Sequence, residues 1–556
     1  MPHQRLELTW IGKGEEPKLE PRLLIEDPDK SYGEAHTENM LIHGDNLLAL
    51  KALEQEYAGK VKCVFIDPPY NTGSAFEHYD DGVEHSLWLS LMHQRINQIH
   101  SLLSEDGSLY VTLDDNEAHY FKVMCDEIFG RSNFIANVIW EKSDSPRMDA
   151  KYFSTRHDHL LVYAKNKGGL KIKTVDVEDV PSHYDRVDEN GVPYYPKPLR
   201  AMGFEDGAED RPSMYYPIIA PDGSEVYPMR QDGSKGRWRW SEEKAKKDAH
   251  RIDITPGRNG WSVNYRVMYK VLNGVPPETI WRHEDVGTNR TSKMEIKGIF
   301  GRKAFETPKP EALVERVINI ATNPGDLVLD SFLGSGTTAA VAHKMGRRWI
   351  GIELGEHANT HCLPRLKKVV DGLDEGGITK AQNWRGGGGF KFYNLAPSLL
   401  RKDDLGQWVI DESYNADQLA AALAKHEGYT YAPDPDRYWK QAYSSEKDYL
   451  YVTTQLITPE TIDHLAEQLG EGESLLVCCK AYRAAAEGRD PRINLHKIPA
   501  ILAGRCEFGK DDYSLNIIDL PKDAAAEPFV PAAQREAQAA EAEQVRKFGK
   551  QKTIFD

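Results

Sequence analysis

Two short stretches carry side chains whose types and spacing can do chemistry. The first is Asp67-Pro68-Pro69-Tyr70, which closes the apolar run Cys63-Val64-Phe65-Ile66. Proline has no N–H and a fixed φ, so a Pro-Pro pair ends a strand ladder and stiffens the turn after it. This leaves a rigid lip bearing a carboxylate, bare carbonyls and one flat ring, and in open α/β sheets ligands bind beyond the carboxyl ends of the strands. The second stretch, Leu333-Gly334-Ser335-Gly336-Thr337-Thr338, follows the strand-like DLVLDSF that contains Asp330 and Phe332, and it opens a helix. Glycine there lets a ligand approach the backbone, and the free N–H groups of a helix start favour a carboxylate or another anion. The turn lacks the lysine that a phosphate-binding loop needs, which disfavours ATP. Glu353 ends the next strand, in RWIGIEL. An acid at that place suits ribose hydroxyls, so the expected ligand is a nucleoside. Taken singly, Asp67 also reads as a turn cap, Tyr70 as a rim aromatic and the glycine turn as a plain strand-helix junction.

Elements of the right kind surround both stretches. LIHGDNLLALKALEQEY gives a strand, a Gly-Asp turn and a helix with Leu47, Leu50 and Leu53 on one face, before the strand KVKCVFI. HSLWLSLMHQRINQIHSLL has helical spacing, SLYVTL follows as a strand, NEAHYFKVMCDEIFG as a helix, and NFIANVIWEK and HDHLLVYAKN as strands. From about 170 to 300 this order breaks into short segments rich in Tyr, Trp, Pro, Gly and Arg. It then resumes with PEALVERVINIAT, DLVLDSF, TTAAVAHKMG and RWIGIEL. Neither half has enough strands to stand alone, so one doubly wound, mostly parallel α/β sheet is expected, interrupted by an insert.

The resulting plan has an N-terminal extension over 1–37, with a lead-in strand at Leu6–Ile11, and the first part of the sheet domain over 38–169. The insert takes 170–300, the second part of the sheet 301–384, and a small α/β unit 385–520, after a GGGG hinge and FKFYNL. An Ala/Glu-rich tail, 521–556, reads as a solvated helix or a partner-docking segment.

Composition sets bounds. The 556 residues exceed one ordinary core and carry a net charge of −16, which argues against a protein coated in nucleic acid. The average hides a basic segment: residues 230–303 hold 17 Lys/Arg against 9 Asp/Glu. No apolar run is long enough for a bilayer and no signal core opens the chain, so a soluble cytoplasmic protein is expected. The six cysteines lack metal-ligand spacing and read as reduced core thiols, and no histidine pattern suggests metal or nucleophilic work.

In this order the lip and the glycine turn resemble the amino-group DNA methyltransferases that use S-adenosylmethionine, in the beta-ordered subgroup whose target-recognition insert lies between the two motifs. LIHGDNLLAL, TPKPEALVERV, GTNRTSKMEIKGIF and RGGGGFKFYNL extend the likeness to the modification subunits of type III restriction-modification systems, over roughly residues 38–400. The resemblance implies a Rossmann-like S-adenosylmethionine-dependent fold. In it Asp67 and the Pro68 carbonyl accept hydrogen bonds from the target amino group, Pro69 stiffens the lip, and Tyr70 stacks on an extruded base. It implies that Asp330 faces the donor's ammonium, that Phe332, Gly334, Ser335, Gly336 and Thr337 pack on its methionine part, and that Glu353 holds its ribose. Asp45 is implied at the donor's adenine, and Thr307 or Lys309 at its carboxylate end. An Asp-led lip implies adenine N6 rather than cytosine N4. Double-stranded DNA is the implied partner, a homodimer the implied assembly, and a helicase-nuclease restriction subunit a further partner. From the basic insert Arg237, Trp238, Arg239, Arg258, Arg266, Arg290 and Lys293 are candidate DNA contacts, although a solvated face over a small Trp core gives the same composition. An orphan or regulatory DNA methyltransferase, cytosine-N4 specificity, methylation of RNA or protein, and a DNA-binding specificity subunit with a vestigial methylation site are the other readings.

Overall fold

The computed structural model describes residues 7–69, 81–175, 182–257, 260–269, 274–301, 305, 307–502 and 504–513, with the backbone alone for 81–84. Tyr70, Arg258 and the tail 521–556 lie outside the described residues.

The chain builds one large sheet from two distant halves. Its strands are β1 (Leu24–Glu26), β2 (Met40–His43), β3 (Val61–Ile66), β4 (Leu103–Leu113), β5 (Phe134–Glu141) and β6 (His157–Ala164), then β10 (Ile280–Trp281), β11 (Leu327–Asp330), β12 (Arg348–Glu353) and β13 (Gly389–Leu395). They lie in the order β1-β13-β2-β12-β11-β3-β4-β6-β5-β10. The six central strands from β13 to β4 run parallel, and β6 is the antiparallel exception between β4 and β5.

The sequence explains why both faces are covered. Parallel strands buried on two sides read as continuous apolar runs, and side chains alternate between faces. In β3, Cys63 and Phe65 enter one core while Val61, Val64 and Ile66 enter the other. The first core takes α5 (Glu311–Ala321), α6 (Thr337–Lys344) and α7 (Leu363–Val370); the second takes α1 (Asn46–Tyr57), α2 (Asp81–Leu102) and α3 (Ala118–Cys125). Hence the sheet is doubly wound, as the sequence pattern predicts.

The insert folds around its own antiparallel sheet of β7 (Pro193–Pro198), β8 (Ile252–Gly257) and β9 (Gly260–Met268). Beyond 395 a second α/β unit forms, with parallel strands β14 (Asp448–Ile457), β15 (Ser474–Tyr482) and β16 (Ile493–Lys497) beside α8 (Ala416–Glu427) and α9 (Pro459–Gln468). All six cysteines are free, five of them buried.

Three sequence expectations shift. Residues 7–10 are not a strand, and the N-terminal segment instead joins the sheet at β1, against β13. The main sheet resumes at β10, inside the expected insert, and continues through β13, inside the expected C-terminal unit. Both strands are too short, or too close to glycine, for periodicity to assign them to a sheet; only pairing does so.

Candidate active site

The lip and the glycine turn meet because β3 and β11 are neighbours, with Cys63 opposite Val328 and Val64 opposite Leu329. From β11 the chain crosses by α6 to β12, and from β3 by α2 to β4 on the other side, so this is the point where the winding reverses. Ligands of open α/β sheets bind at such a switch point. Here it opens a cavity of about 650 Å³ lined by Asp67, Pro68, Pro69, Thr307, Lys309, Asp330, Phe332, Gly334, Ser335, Thr337 and Glu353 among others. That volume suits a nucleoside-sized ligand with room for a second planar group.

The lip is pinned from three sides. Thr112, near the end of β4, donates to Asp67 Oδ1 at 2.6 Å. Lys309 Nζ pairs with Asp67 Oδ2. The Trp88 indole N–H holds the Pro69 carbonyl at 2.9 Å. Lys309 thus sits against the lip carboxylate.

The glycine turn is shaped by its own acids. Asp330 Oδ1 accepts from Phe332 N at 2.9 Å and Oδ2 from Thr338 Oγ1 at 2.5 Å. Burial, with Asp67 and Glu353 nearby, holds the Asp330 carboxyl up at about 7 against those two hydrogen bonds. A ligand cation would therefore be favoured beside it. Glu353 Oε2 accepts from Gly334 N at 2.7 Å and Oε1 from Gly355 N at 3.0 Å, leaving a lone pair on each oxygen. Gly334 and Gly336 take φ of 56° and 81°, the left-handed region in which a side chain is strained. Arg365, fully buried, donates to Ser335 O at 3.2 Å and to Thr337 Oγ1 at 2.9 Å. Its other arm meets Glu311, which also binds Lys344 at 2.8 Å.

Asp45 is placed elsewhere. It caps α1, accepting from Leu47 N and Leu48 N at 2.9 and 3.1 Å, and its other oxygen accepts from Tyr513 N at 2.9 Å and lies 3.4 Å from Arg95. Its oxygens are committed to the fold and it does not line the cavity, so the adenine contact expected of it finds no geometric support. A neighbour that the sequence reading passed over does connect: Asn46 Nδ2 donates to Ser331 O at 2.7 Å, tying the HGDN turn to the end of β11.

Sequence reasoning also missed Lys142, Asp158, Asn289 and Phe305, all of which line the cavity. Asp158, its carboxyl raised by burial, pairs with Lys142 at 2.6 Å. It reaches the site because β6 is antiparallel and starts where β4 ends, an arrangement with no local signature.

The DNA candidates divide. Arg290 and Lys293, on α4 (Asn289–Phe300), line a cleft of about 380 Å³ with Lys142, Arg147 and Lys297, and the cleft shares Lys142, Asn289 and Lys293 with the cavity. Arg239 is exposed and Arg237 half-buried, its Nε on the Glu205 carbonyl. Trp238 is 2% exposed in the insert's core, and its N–H bonds the Tyr216 carbonyl, so it is no base contact. Arg266 is held by Asp253 and Glu189 at 2.9 and 3.0 Å, which neutralises it inside the insert. The histidines gather more than their spacing suggests: among the described residues Asp115, His119 and His159 form one group of possible metal ligands and Glu141, His283 and Glu284 another. Neither group lines the cavity.

Fold and site together define an open α/β protein with a nucleoside-sized cavity at its switch point. A family model for DNA methylases that act on amino nitrogens (N6 and N4) matches residues 61–361, over half of the chain, and the chain belongs to that family. It is 33% identical over 413 residues to the probable type III restriction-modification enzyme HindVI Mod subunit of Haemophilus influenzae, covering 65% of this chain and 54% of that one. It is 30% identical to the StyLTI Mod subunit of Salmonella typhimurium, over 75% and 70% of the two chains. Against the type II methyltransferase M.KpnI of Klebsiella pneumoniae it is 31% identical, over 55% and 76%. The chain thus spans about half the length of the first of these relatives.

Proposed function

We propose that this protein transfers a methyl group from S-adenosylmethionine to the N6 amino group of an adenine flipped out of double-stranded DNA, as the modification subunit of a restriction-modification system. The observation that carries the reading is the single cavity shared by the Asp67 lip and the glycine turn of Asp330 and Glu353. When bound, S-adenosylmethionine supplies an electrophilic methyl on sulfur. The residues fit it: Asp330 and Glu353 provide acceptors for an ammonium and for ribose hydroxyls, and the glycines leave the backbone open. Lys309 or Thr307 is close enough to the same space to meet a carboxylate. Asp67 and the Pro68 carbonyl accept hydrogen bonds from the two amino N–H groups, which draws the nitrogen lone pair out of conjugation with the ring and aims it, and the one proton the nitrogen sheds on methylation passes to Asp67 or to water. Such a step is governed by alignment and fixed dipoles. A base paired in a duplex cannot reach the lip, so the base must flip, at a cost of a few kcal/mol. Tyr70 is the expected stacking partner.

Adenine is favoured over cytosine by the Asp-led lip. Type III membership is supported by the two Mod relatives, and a homodimer and a helicase-nuclease partner belong to the same reading. The test is incubation of unmodified DNA with labelled donor, followed by digestion to nucleosides. N6-methyladenine is expected, N4-methylcytosine overturns the base assignment, and DNA binding with no transfer favours a vestigial specificity subunit.

The Asp330 carboxyl also sets a pH dependence. Its ionisation is held up at about 7, so below that pH it is neutral and offers little to an ammonium. Donor affinity is expected to rise as pH increases from 6 to 8, by at most about tenfold per unit, and then to level off. Titration calorimetry with S-adenosylmethionine checks this, and Asp330→Asn should flatten the profile.

A further inference from the structure

The loop between β5 and β6 carries a feature that the proposed reaction has not used. It is closed at its base by Lys142 N on the Arg156 carbonyl at 2.9 Å, by Arg156 on Glu141 at 2.5 Å, and higher up by Arg147 N on Ser154 Oγ at 2.6 Å. It is a laced hairpin, and the three largest apolar groups on it point into solvent. Met148 and Phe153 are each 95% exposed and Tyr152 82%. Large apolar side chains held in water are costly to hydrate, so three such groups displayed together mark an interaction site. Lys151 stands over the Tyr152 ring at 5.3 Å.

The position of the hairpin selects the partner. Its flanks, Ser143, Asp144, Arg147 and Thr155, form one wall of the basic cleft, and Arg290, Lys293 and Lys297 of α4 form the other. That cleft runs into the cavity through the shared Lys142, Asn289 and Lys293. A strand whose phosphates follow the lysines and arginines therefore runs along the flanks of the hairpin that carries Met148, Tyr152 and Phe153 as it delivers a base to the lip. Proteins that distort DNA insert apolar side chains between base steps, and the gap left by an extruded base is such a step.

We propose that Phe153, with Tyr152 and Met148 around it, is a wedge that enters the duplex at the target step and fills the space vacated by the flipped base. The proposal rests on the reading of the cavity as the pocket for that base. Its energetic role is to replace the lost stacking on the orphan partner, so it acts on flipping and leaves donor binding alone.

The test first maps the modified site by single-molecule sequencing of DNA treated with the wild-type protein, and then uses short duplexes carrying that site. Phe153→Ala/Tyr152→Ala should lower kcat/KM on the matched duplex on the order of tenfold or more, the scale of one base-aromatic stack. Affinity for S-adenosylmethionine should be unchanged. A duplex with a mismatch opposite the target, whose base is already loosened, should restore most of the rate, and 2-aminopurine at the target should brighten less with the variant than with wild type. Unchanged activity on the matched duplex, or an equal loss on matched and mismatched duplexes, overturns the wedge alone. Absence of transfer by the wild-type protein overturns both the wedge and the reading it rests on.

Discussion

Asp67→Ala is expected to lower methyl transfer on the order of 10²-fold or more while S-adenosylmethionine still binds, the scale seen when one preorganised polar group is removed from a reacting centre. The geometry supports the separation. Asp67 ends β3 and is oriented by Thr112 and Lys309, whereas the groups that would grip the donor, Asp330, the glycine turn and Glu353, all lie at the end of β11 or beyond it in the chain. Losing the lip carboxylate removes an amino-group acceptor and leaves Asp330, the glycine turn and Glu353 in place; it also releases Lys309 from that pair and takes a negative charge away from Asp330, changes that do not weaken the hold on the donor. Glu353→Ala should do the opposite: it frees Gly334 N and Gly355 N and raises the Kd for the donor, with a smaller effect on the rate at saturation. Equilibrium binding of labelled donor, read beside single-turnover transfer, separates the two. Equal loss of donor binding in both variants would show that lip and turn do not divide the work.

Glu311→Gln is expected to destabilise the sheet domain by about 3 kcal/mol, because it removes the carboxylate that buried Arg365 pairs with, while Lys344 keeps Asp374 at 2.8 Å. Glu311, Lys344, Arg365 and Asp374 are all buried, and the carboxylate of Glu311 meets both Lys344 and Arg365 at 2.8 Å. Glu295 is packed beside it, its carboxyl raised to about 7 by burial and by Glu311. The midpoint of the first unfolding transition in urea measures the loss, with Glu242→Gln as the contrast, since the exposed Glu242–Lys246 pair contributes less than about 1 kcal/mol. The same variant should weaken donor binding, because Arg365, once released from Glu311, no longer holds the Ser335 carbonyl and Thr337 firmly. Wild-type stability in Glu311→Gln would mean that the cluster is already neutralised in another way.

Much of the fold and of the site is legible in the order of residues. The strands and helices on either side of the insert follow from alternating apolar runs and helical spacing, and the order of lip, insert and glycine turn carries the resemblance to methyltransferases that the family match bears out. The glycine turn can be read because a left-handed φ leaves few options other than glycine. Where the reading fails, the reasons are identifiable. Asp45 and Trp238 have the residue types of ligands, but a carboxylate at a helix start serves equally as a cap, and an indole among arginines serves equally as core. Only burial and partners decide between those uses: Asp45 is taken up by three backbone N–H groups and by Arg95, and Trp238 by its own small core.

The amino-acid sequence by itself determined that a rigid acid-proline edge and an open glycine bend exist, that each terminates a buried strand, and that the basic residues collect in the inserted segment. These are properties of neighbouring residues, fixed by backbone sterics and by local apolar pattern. Tertiary structure alone decided that Leu329 lies beside Val64, that Asp158 and Lys142 reach the same cavity from an antiparallel strand pair, that Arg365, paired with Glu311, braces the bend, and that the flanks of the hairpin carrying Phe153 line the basic cleft. Those relations join residues tens to hundreds of positions apart, and they arise from the order in which strands hydrogen-bond, which no local periodicity encodes.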